Sequence, residues 1–403
     1  MGDVRVVSSV VPDVGALVPL LEPHHPLAFV RDGDGIIGFG DAVRLEFRGP
    51  DRIVQAARAW RELAAAADVA DGVNLPGSGL VAFGSFTFAP DSEASSVLIV
   101  PRVIVGRRDG TCFVTRVDGA DDELRVAASG PEYRARMLHG QMTRSVFTAA
   151  VRTALERIAD GTVSKVVLAR DLIGHIAPDA DLRRAITHLS RSYRQTFTYA
   201  VEGLIGSSPE TLVRSEGGIV DARVLAGSSA RGEDADADAA AAEALVHSAK
   251  DLGEHDFALQ SVLDALRPHT SALSASAAAF ALKLPNLWHL ASDVTGALAD
   301  GSSALDLVAA LHPTAAVAGA PTDAATALIR ELEPFDRGRY AGPVGWVDAA
   351  GDGEWAIALR CAQVTEDGTV HAYAGAGIVA GSDPDTELEE TALKFRPIVD
   401  AFG

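Results

Sequence analysis

Cysteine is scarce in this chain. Its 403 residues include two cysteines, Cys112 and Cys361, which lie far apart and show no CxxC spacing. This usage excludes a disulfide framework and a CxxC-type structural zinc site, and it predicts a reducing compartment.

Long apolar runs are also missing, since no run reaches the roughly 18 residues that a membrane-spanning helix requires. The N-terminal stretch MGDVRVVSSVVPDVG lacks a basic start followed by a long apolar core, which predicts no secretion signal. Together with the cysteine usage, these two absences predict a cytoplasmic protein.

Positive charge is in deficit: 35 Lys and Arg residues face 55 Asp and Glu residues, which gives a formal net charge of −20. Such a surface repels phosphate backbones and anionic membranes, so nucleic acid and membrane surfaces are excluded as partners. The hydrophobic fraction of 48% is nevertheless typical of a globular protein with a large core.

Several catalytic signatures are absent as well. The chain has no GxSxG elbow, no P-loop and no HExxH, so the common hydrolase and NTPase templates fail. The stretch AGAGIVA at 374–380 formally matches a dinucleotide fingerprint, but Ser-Asp-Pro at 382–384 separates it from the next helix. That fingerprint needs a helix to begin directly at the glycines, so these glycines are better explained by close approach of the backbone to another group.

The pattern of apolar residues predicts one compact α+β unit. Short strand-like runs with Gly- and Asp-rich turns fill residues 1–130, interrupted by one helical pattern at 51–67. Residues 1–144 are less rich in motifs, and 145–403 form the predicted catalytic core of a single domain. The later predicted helices lie at 145–159, within 233–268 (one long helix ended by Pro268, whose acidic start at 233–242 is either helix or loop), at 304–313, at 323–332 and from about 385. The later predicted strands lie at 196–206, 211–224, 287–298, 342–349, 353–364 and 369–380.

One lysine stands inside a strand-like run, GTVSKVVLARDL at 161–172. At the two-residue period of a strand, Lys165 shares a face with Val163 and Val167. A structural lysine whose amine reaches the surface is one explanation. A buried lysine between apolar neighbours is the other, because a dry environment favours the neutral amine.

Acidic residues recur on two predicted helices. Glu387, Glu390 and Lys394 share one face of the last helix, which suits either an exposed ion pair or a carboxylate pair that binds a metal. On the long helix, the best apolar stripe points roughly opposite Glu254, so the periodicity favours solvent exposure for this residue.

Three further residues allow two readings each. Glu210 follows a proline between two strands, where an ordinary surface glutamate is expected. His312 ends a helix, where a structural role is more common than a catalytic one. Arg360 lies in the apolar strand WAIALRCAQV, and a buried cation of this kind needs a partner, such as a bound carboxylate.

Taken together, these motifs resemble one family. The segments SKVVLAR, GSSPETLVR, LAGSSARG, KDLGEHDFAL, LWHLASDVTG, HPTAAVAGAPTDAATALIRELEPFDRGRYAGPVGWVD, GEWAIALRCA and YAGAGIV…ELEETALK occur in the order found in chorismate-utilising enzymes. Within that family the chain looks most like the isochorismate synthases, and the resemblance covers residues 145–403. It implies an α+β fold of two large, mostly antiparallel sheets packed together, with helices on the outside.

The resemblance also implies a reaction and its residues. Isochorismate synthases add water at C2 of chorismate while the C4 hydroxyl leaves, with Mg²⁺ as cofactor. Lys165 matches the general base and Glu210 the general acid. The other matches are Glu254 and Glu390 as metal ligands, with Glu387 and Asp251 near the metal, and Gly227, Ser228, His289, His312, Ala316, Arg360, Gly375 and Lys394 as substrate-binding positions.

Other branches of the family remain as alternatives. Salicylate synthases share the lysine and the acid but go on to eliminate pyruvate, and a non-catalytic binding relative is a third reading. Ammonia-using members carry a Phe-Pro-type motif where this chain has His312-Pro313-Thr314, so no glutamine amidotransferase subunit is expected. We expect a monomer whose product feeds siderophore or menaquinone synthesis.

Overall fold

The computed structural model describes residues 4–120 and 128–403. Helix α2 shows why the predicted helices form: Phe147, Ala150, Val151 and Ala154 make a buried stripe at helical spacing, and the Thr143 side chain caps the first turn. The helices in the described residues are α1 (Arg52–Ala66), α2 (Arg144–Ala159), α3 (Arg183–Ser192), α4 (Ala235–His247), α5 (Ala249–Leu266), α6 (Ala304–Leu311), α7 (Thr322–Leu332) and α8 (Pro384–Phe402).

The strands supply most of the framework. They are β1 (Arg5–Val11), β2 (Leu27–Arg31), β3 (Asp34–Phe47), β4 (Asp68–Asp71), β5 (Val81–Ser85), β6 (Ser96–Arg108), β7 (Thr111–Val117), β8 (Leu138–His139), β9 (Lys165–His175), β10 (Phe197–Val201), β11 (Leu204–Ser208), β12 (Thr211–Glu216), β13 (Ile219–Ala230), β14 (Thr270–Ala275), β15 (Phe280–Lys283), β16 (Leu287–Leu298), β17 (Gly319–Ala320), β18 (Pro343–Asp348), β19 (Gly353–Ile357), β20 (Cys361–Val364) and β21 (Thr369–Val379).

The predicted α+β class is confirmed, and the strand pairing is antiparallel apart from the parallel pair β1 and β4. All strands of the described residues are linked by hydrogen bonds into one network, rather than divided between two sheets. Long strands make this possible because they bend where their register shifts, in β3 between Asp41 and Val43 and in β13 between Leu225 and Ser228. The N-terminal strands join the later ones directly, since β2 pairs with β10 and β5 with β18.

Three predicted elements are each divided in the structure. The long acidic helix becomes α4 and α5, because Ser248 leaves the helical conformation and its side chain caps α5 by accepting from the Asp251 N–H. The strand at 196–206 becomes the hairpin of β10 and β11, which turns at Glu202 and Gly203, both with positive φ. The strand at 353–364 is interrupted at Arg360, whose φ of 49° ends the extended run.

Two hydrophobic clusters surround the central strands. The larger one contains Trp60, Phe83 and Trp355, and the smaller one contains Leu189 and Phe402. Strand β9 is buried along almost its whole length and pairs with β21 throughout. In the described part of the chain, no helix has the length and apolar content needed to cross a bilayer.

Candidate active site

A cavity lies where β9, β13 and β21 meet helices α5 and α8. It brings together residues that are far apart in the sequence, and it includes most of the predicted site. Of those positions, it is lined by Glu210, Gly227, Ser228, Glu254, His289, Ala316, Arg360, Gly375 and Lys394.

Lys165 is fully buried at the start of β9. Its Nζ lies 3.3 Å from Glu254 Oε1 and 3.5 Å from the Glu254 carbonyl oxygen. The explanation of a structural lysine that reaches the surface is therefore excluded, and the buried amine lies against a carboxylate from α5.

Glu254 is buried, so the predicted exposure of this residue is wrong. The buried face of α5 is formed by Glu254, Ala258, Val262 and Leu266 at four-residue spacing, and it packs toward the sheet. The leucines of the expected stripe, such as Leu259 and Leu263, are only partly buried. Ala258 is small, so α5 can approach the strands on this face. A stripe defined mainly by the large leucines does not reveal this face.

Gly377 makes room for the Glu254 carboxylate. On β21 it pairs with Val167 of β9, and a Cβ built at Gly377 would lie 2.0 Å from Glu254 Oε1. Only a glycine allows the carboxylate to lie against the strand here. This is the close backbone approach that the glycines of AGAGIVA predict, although the partner is a side chain of the protein.

Glu210 lies between β11 and β12 and is also buried, which excludes an ordinary surface glutamate. Its Oε1 accepts a hydrogen bond of 3.5 Å from the Leu225 N–H. Burial raises the pKa of Glu210 to about 7, against the opposing effect of this hydrogen bond and of Lys165. At neutral pH the side chain is therefore present in both its protonated and its ionised form.

Arg360 and His289 form a buried pair in the same cavity. Arg360 Nη2 donates to His289 Nε2 at 2.7 Å, and His289 Nδ1 donates to the Gly227 carbonyl oxygen at 3.2 Å. Burial and the charge of Arg360 hold the pKa of His289 well below its usual value. A neutral histidine thus holds the guanidinium beside the cavity without adding charge.

The turn at Ala226, Gly227 and Ser228 is held by a second histidine. His255 Nδ1 donates to the Ala226 carbonyl oxygen at 3.3 Å, next to the carbonyl that His289 holds. Gly227 has φ of 80°, which favours glycine. The Ser228 hydroxyl is buried and has no hydrogen-bond partner among the described residues, so it is available to a ligand in the cavity.

Three lysines neutralise the predicted metal-binding carboxylates. Besides the Lys165–Glu254 contact, Lys394 Nζ lies 2.6 Å from Glu390 Oε1 and 3.0 Å from the Gly375 carbonyl oxygen. Lys250 Nζ lies 2.6 Å from Glu387 Oε1, a partner that the sequence did not indicate. Burial, together with the Glu390 carboxylate, raises the pKa of Glu387.

These carboxylates suit a hard cation in their chemistry. They are oxygen ligands from α5 and α8, and a divalent cation would relieve the repulsion between Glu387 and Glu390. Asp251 lies on the same face of α5 as Glu254, and it lies against the turn at Gly227. Across residues 4–120 and 128–403, however, no three His, Cys, Asp or Glu side chains are already grouped as a metal site. The residues fit Mg²⁺ as one or two protein ligands completed by water and substrate.

His312 lies apart from the predicted site. Its Nε2 donates to the Phe88 carbonyl oxygen at 3.0 Å, and the residue lines a second cavity together with Arg52 and Phe88. Burial and the charge of Arg52 lower the pKa of His312 to about 3. The expected position near a substrate ring is not supported, because the residue that ends α6 turns toward the N-terminal part of the chain.

Several lining residues were not predicted from the sequence. Tyr340 is the largest of them, and its ring stacks on Tyr373 with 5.1 Å between the ring centroids. Pro209, Val317 and Leu359 are among the other apolar residues of the wall. Tyr340 belongs to RGRYAGPVG, part of one of the motifs shared with the family. Its place in that motif is the sequence feature that could have identified it as a lining residue.

Comparisons with a family model and with known proteins show what this chain is similar to. The family model described as chorismate binding enzyme matches residues 28–403. The isochorismate synthase DhbC of Bacillus subtilis is 43% identical over 63% of this chain and 66% of its own length. A putative isochorismate synthase MenF of Mycobacterium tuberculosis is 38% identical over 81% of this chain and 87% of its own length.

Solved structures show the same similarity over nearly the whole chain. A putative 2,3-dihydroxybenzoate-specific isochorismate synthase, DhbC from Bacillus anthracis, superposes with a TM-score of 0.79 at 31% identity, covering 96% of this chain and 98% of that one. The menaquinone-specific isochorismate synthase MenF from Escherichia coli gives 0.80 at 25% identity, covering 98% and 94%. The chain belongs to the chorismate-binding enzyme family.

Proposed function

We propose that this protein is an isochorismate synthase, which converts chorismate to isochorismate reversibly. The observation that carries the proposal is the placement of a buried amine and a buried acid at one site: Lys165 lies 3.3 Å from Glu254, and Glu254 lines the cavity together with Glu210, whose pKa is raised. The similarity to proteins named as isochorismate synthases supports the same reaction.

The two groups divide the proton transfers between them. Water is a poor nucleophile and hydroxide a poor leaving group, so both transfers need catalysis. Lys165, as the free amine, accepts a proton from the water that attacks C2 of the substrate. Glu210, in its protonated form, donates a proton to the C4 hydroxyl, which leaves as water. One water enters and one leaves, so the net reaction is an isomerisation.

Positive groups hold the substrate, which is a dicarboxylate. Arg360 and Lys394 both line the cavity and can pair with carboxylates, and the free Ser228 hydroxyl offers a further donor. Because the whole chain has a net charge of −20, these local cations are needed to attract an anionic ligand.

The proposal includes Mg²⁺, which Glu254 and Glu390 would hold, with Glu387 and Asp251 close to it. When bound, the ion supplies a double positive charge that binds a substrate carboxylate and balances these acidic side chains. The protein would contribute two of these carboxylates from α5 and two from α8, and the ion pair of Lys250 with Glu387 joins the two helices.

The proposed reaction uses water, so it needs no subunit that supplies ammonia, and we propose that the chain acts as a monomer without a glutamine amidotransferase. Both cysteines are buried free thiols, which supports a reducing compartment such as the cytoplasm. Light scattering on the purified protein tests the monomer.

Product identification tests the proposed function. Purified protein treated with a chelator and then given chorismate and Mg²⁺ should form isochorismate without pyruvate, as followed by chromatography. Without added Mg²⁺, turnover should fall to background. Stoichiometric pyruvate with salicylate would replace the proposal with a salicylate synthase, and no product would leave a binding protein.

A substitution at Gly377 tests the place of Glu254. Gly377→Ala should lower turnover at least about tenfold, because the added Cβ displaces the carboxylate from its position beside Lys165. The carboxylate is the end of a flexible side chain, so the fold should tolerate the change. Gly253→Ala is the matched control, since its Cβ would meet nothing within 4 Å. Equal turnover in both variants would contradict this role.

A further inference from the structure

A buried ion pair lies just outside the cavity. Glu333 follows the last residue of α7, and Arg337 lies in the loop before β18; the two residues are 8% and 3% exposed. Arg337 Nε donates to Glu333 Oε2 at 2.8 Å and Arg337 Nη2 to Glu333 Oε1 at 2.6 Å. Removing two charges from water is costly, so the remaining contacts of the pair indicate what it does.

Those contacts are with the backbone of the strand that carries Lys165. The Ala169 N–H donates to Glu333 Oε1 at 2.8 Å, and Arg337 Nη2 donates to the Val167 carbonyl oxygen at 2.8 Å. Among the described residues, β9 pairs on this edge with β17 at Lys165 and Val166 and with β8 at Leu172 and Ile173, and the Val167 N–H donates to the Ala318 carbonyl oxygen at 2.9 Å. Between those strands, the two side chains supply the acceptor and the donor that a neighbouring strand would provide.

The same guanidinium also reaches the segment that runs next to β9. Arg337 Nη1 donates to the Val317 carbonyl oxygen at 2.9 Å. Val167 and Val317 both line the cavity, and Val317 follows Ala316. One rigid planar group therefore joins two carbonyl oxygens, one on the strand of Lys165 and one on the turn next to it.

The carboxylate-binding side of the cavity is held by other groups. Arg360 is held by His289, and Lys394 by Glu390 and the Gly375 carbonyl oxygen. Loosening the Glu333–Arg337 pair would therefore shift the amine of Lys165 relative to a substrate whose carboxylates remain held.

We propose that Glu333 and Arg337 are positioning residues, which fix the strand of Lys165 against the turn at Ala316 and Val317. The effect on turnover rests on the proposed function, in which Lys165 is the base. The pair acts through the backbone and does not touch the substrate.

Arg337→Lys and Glu333→Gln test this inference. Lysine keeps the charge but cannot hold two carbonyl oxygens and a carboxylate in one plane. Each variant should lower kcat by about 10- to 100-fold while KM changes less than about threefold. Arg183→Lys is the control, because Arg183 forms a comparable buried pair with Asp181 away from the cavity. If kcat falls only in proportion to the loss of Tm in all three variants, the pair is merely structural and the inference is overturned.

A second measurement needs no turnover. Amide hydrogen exchange in the segment around Val167 and Ala169 should be faster in Arg337→Lys than in the wild type, and unchanged in Arg183→Lys. Unchanged exchange in Arg337→Lys would overturn the inference. If the wild type fails to convert chorismate, the proposed function is lost, while the exchange result still decides whether the pair holds the strand.

Discussion

Glu210→Gln should lower turnover by about 10²- to 10⁴-fold, the range that general acid catalysis contributes. Glutamine has nearly the same shape and can still accept a hydrogen bond from the Leu225 N–H, but it has no proton to donate to a leaving hydroxyl. Chorismate binding should be retained, because Arg360 and Lys394 are unchanged. Glu366→Gln, at an exposed position, is the control. Wild-type turnover in Glu210→Gln would eliminate Glu210 as the acid.

The pH dependence of turnover follows from the same group. Burial raises the pKa of Glu210 from 4.5 to about 7, and the acid acts in its protonated form. The wild-type kcat/KM for chorismate should therefore fall as the pH rises through about 7. In the residual activity of Glu210→Gln this decline should be absent, and its persistence would assign the decline to another group.

The same substitution should also stabilise the protein at high pH. The folded-state pKa of Glu210 lies above its unfolded value of 4.5. The stability that this difference contributes to the wild type is therefore fully present below pH 4.5 and is lost as the pH rises through about 7. Glutamine has no ionised form to bury. Above pH 8, Glu210→Gln should exceed the wild type in free energy of unfolding by about 3 kcal/mol at most, and below pH 4.5 the two should agree. Denaturant unfolding at both pH values checks this.

If Glu210 is kept for its function, replacing it with glutamine should raise the stability and lower the turnover. A buried glutamate kept only for structure would normally have a partner that offsets its burial. Glu210 has a long backbone hydrogen bond of 3.5 Å instead. The cost of burying it is therefore explained by chemistry rather than by folding.

The local part of the site could be predicted from the sequence. Glu387, Glu390 and Lys394 share a helix face because 3.6 residues make a turn, and the structure places Glu390 and Lys394 in contact. For Lys165 the strand period left two explanations open, and only the structure shows that the amine is buried. The prediction for the helix face needed only a few neighbouring residues and a known period.

The contacts between distant parts of the chain could not be predicted from the sequence. The partner that Arg360 requires is His289, which is 71 positions away in sequence. The burial of Glu254 depends on which face of α5 meets the sheet, and the position of His312 depends on the N-terminal segment around Phe88. Such contacts are decided by packing between distant elements, which the periodicity of one element does not encode.

Lys165→Ala should lower turnover by about 10²- to 10⁴-fold as well, because it removes the base that accepts a proton from water. The substitution also leaves the Glu254 carboxylate without the amine that lies 3.3 Å from it. Loss of a partner from a buried pair is destabilising by about 3–5 kcal/mol at most, so folding must be monitored by circular dichroism and thermal unfolding.

Chemical rescue separates the two effects. Lys165→Ala opens a space beside Glu254, and a small primary amine added to the solution can occupy it and supply the missing base. Turnover should then rise with amine concentration. Lys165→Met is the matched variant, because its side chain fills that space and prevents rescue. A folded Lys165→Ala protein with turnover within about threefold of the wild type would show that proton removal does not depend on Lys165, and rescue of both variants alike would show that the added amine acts outside the site.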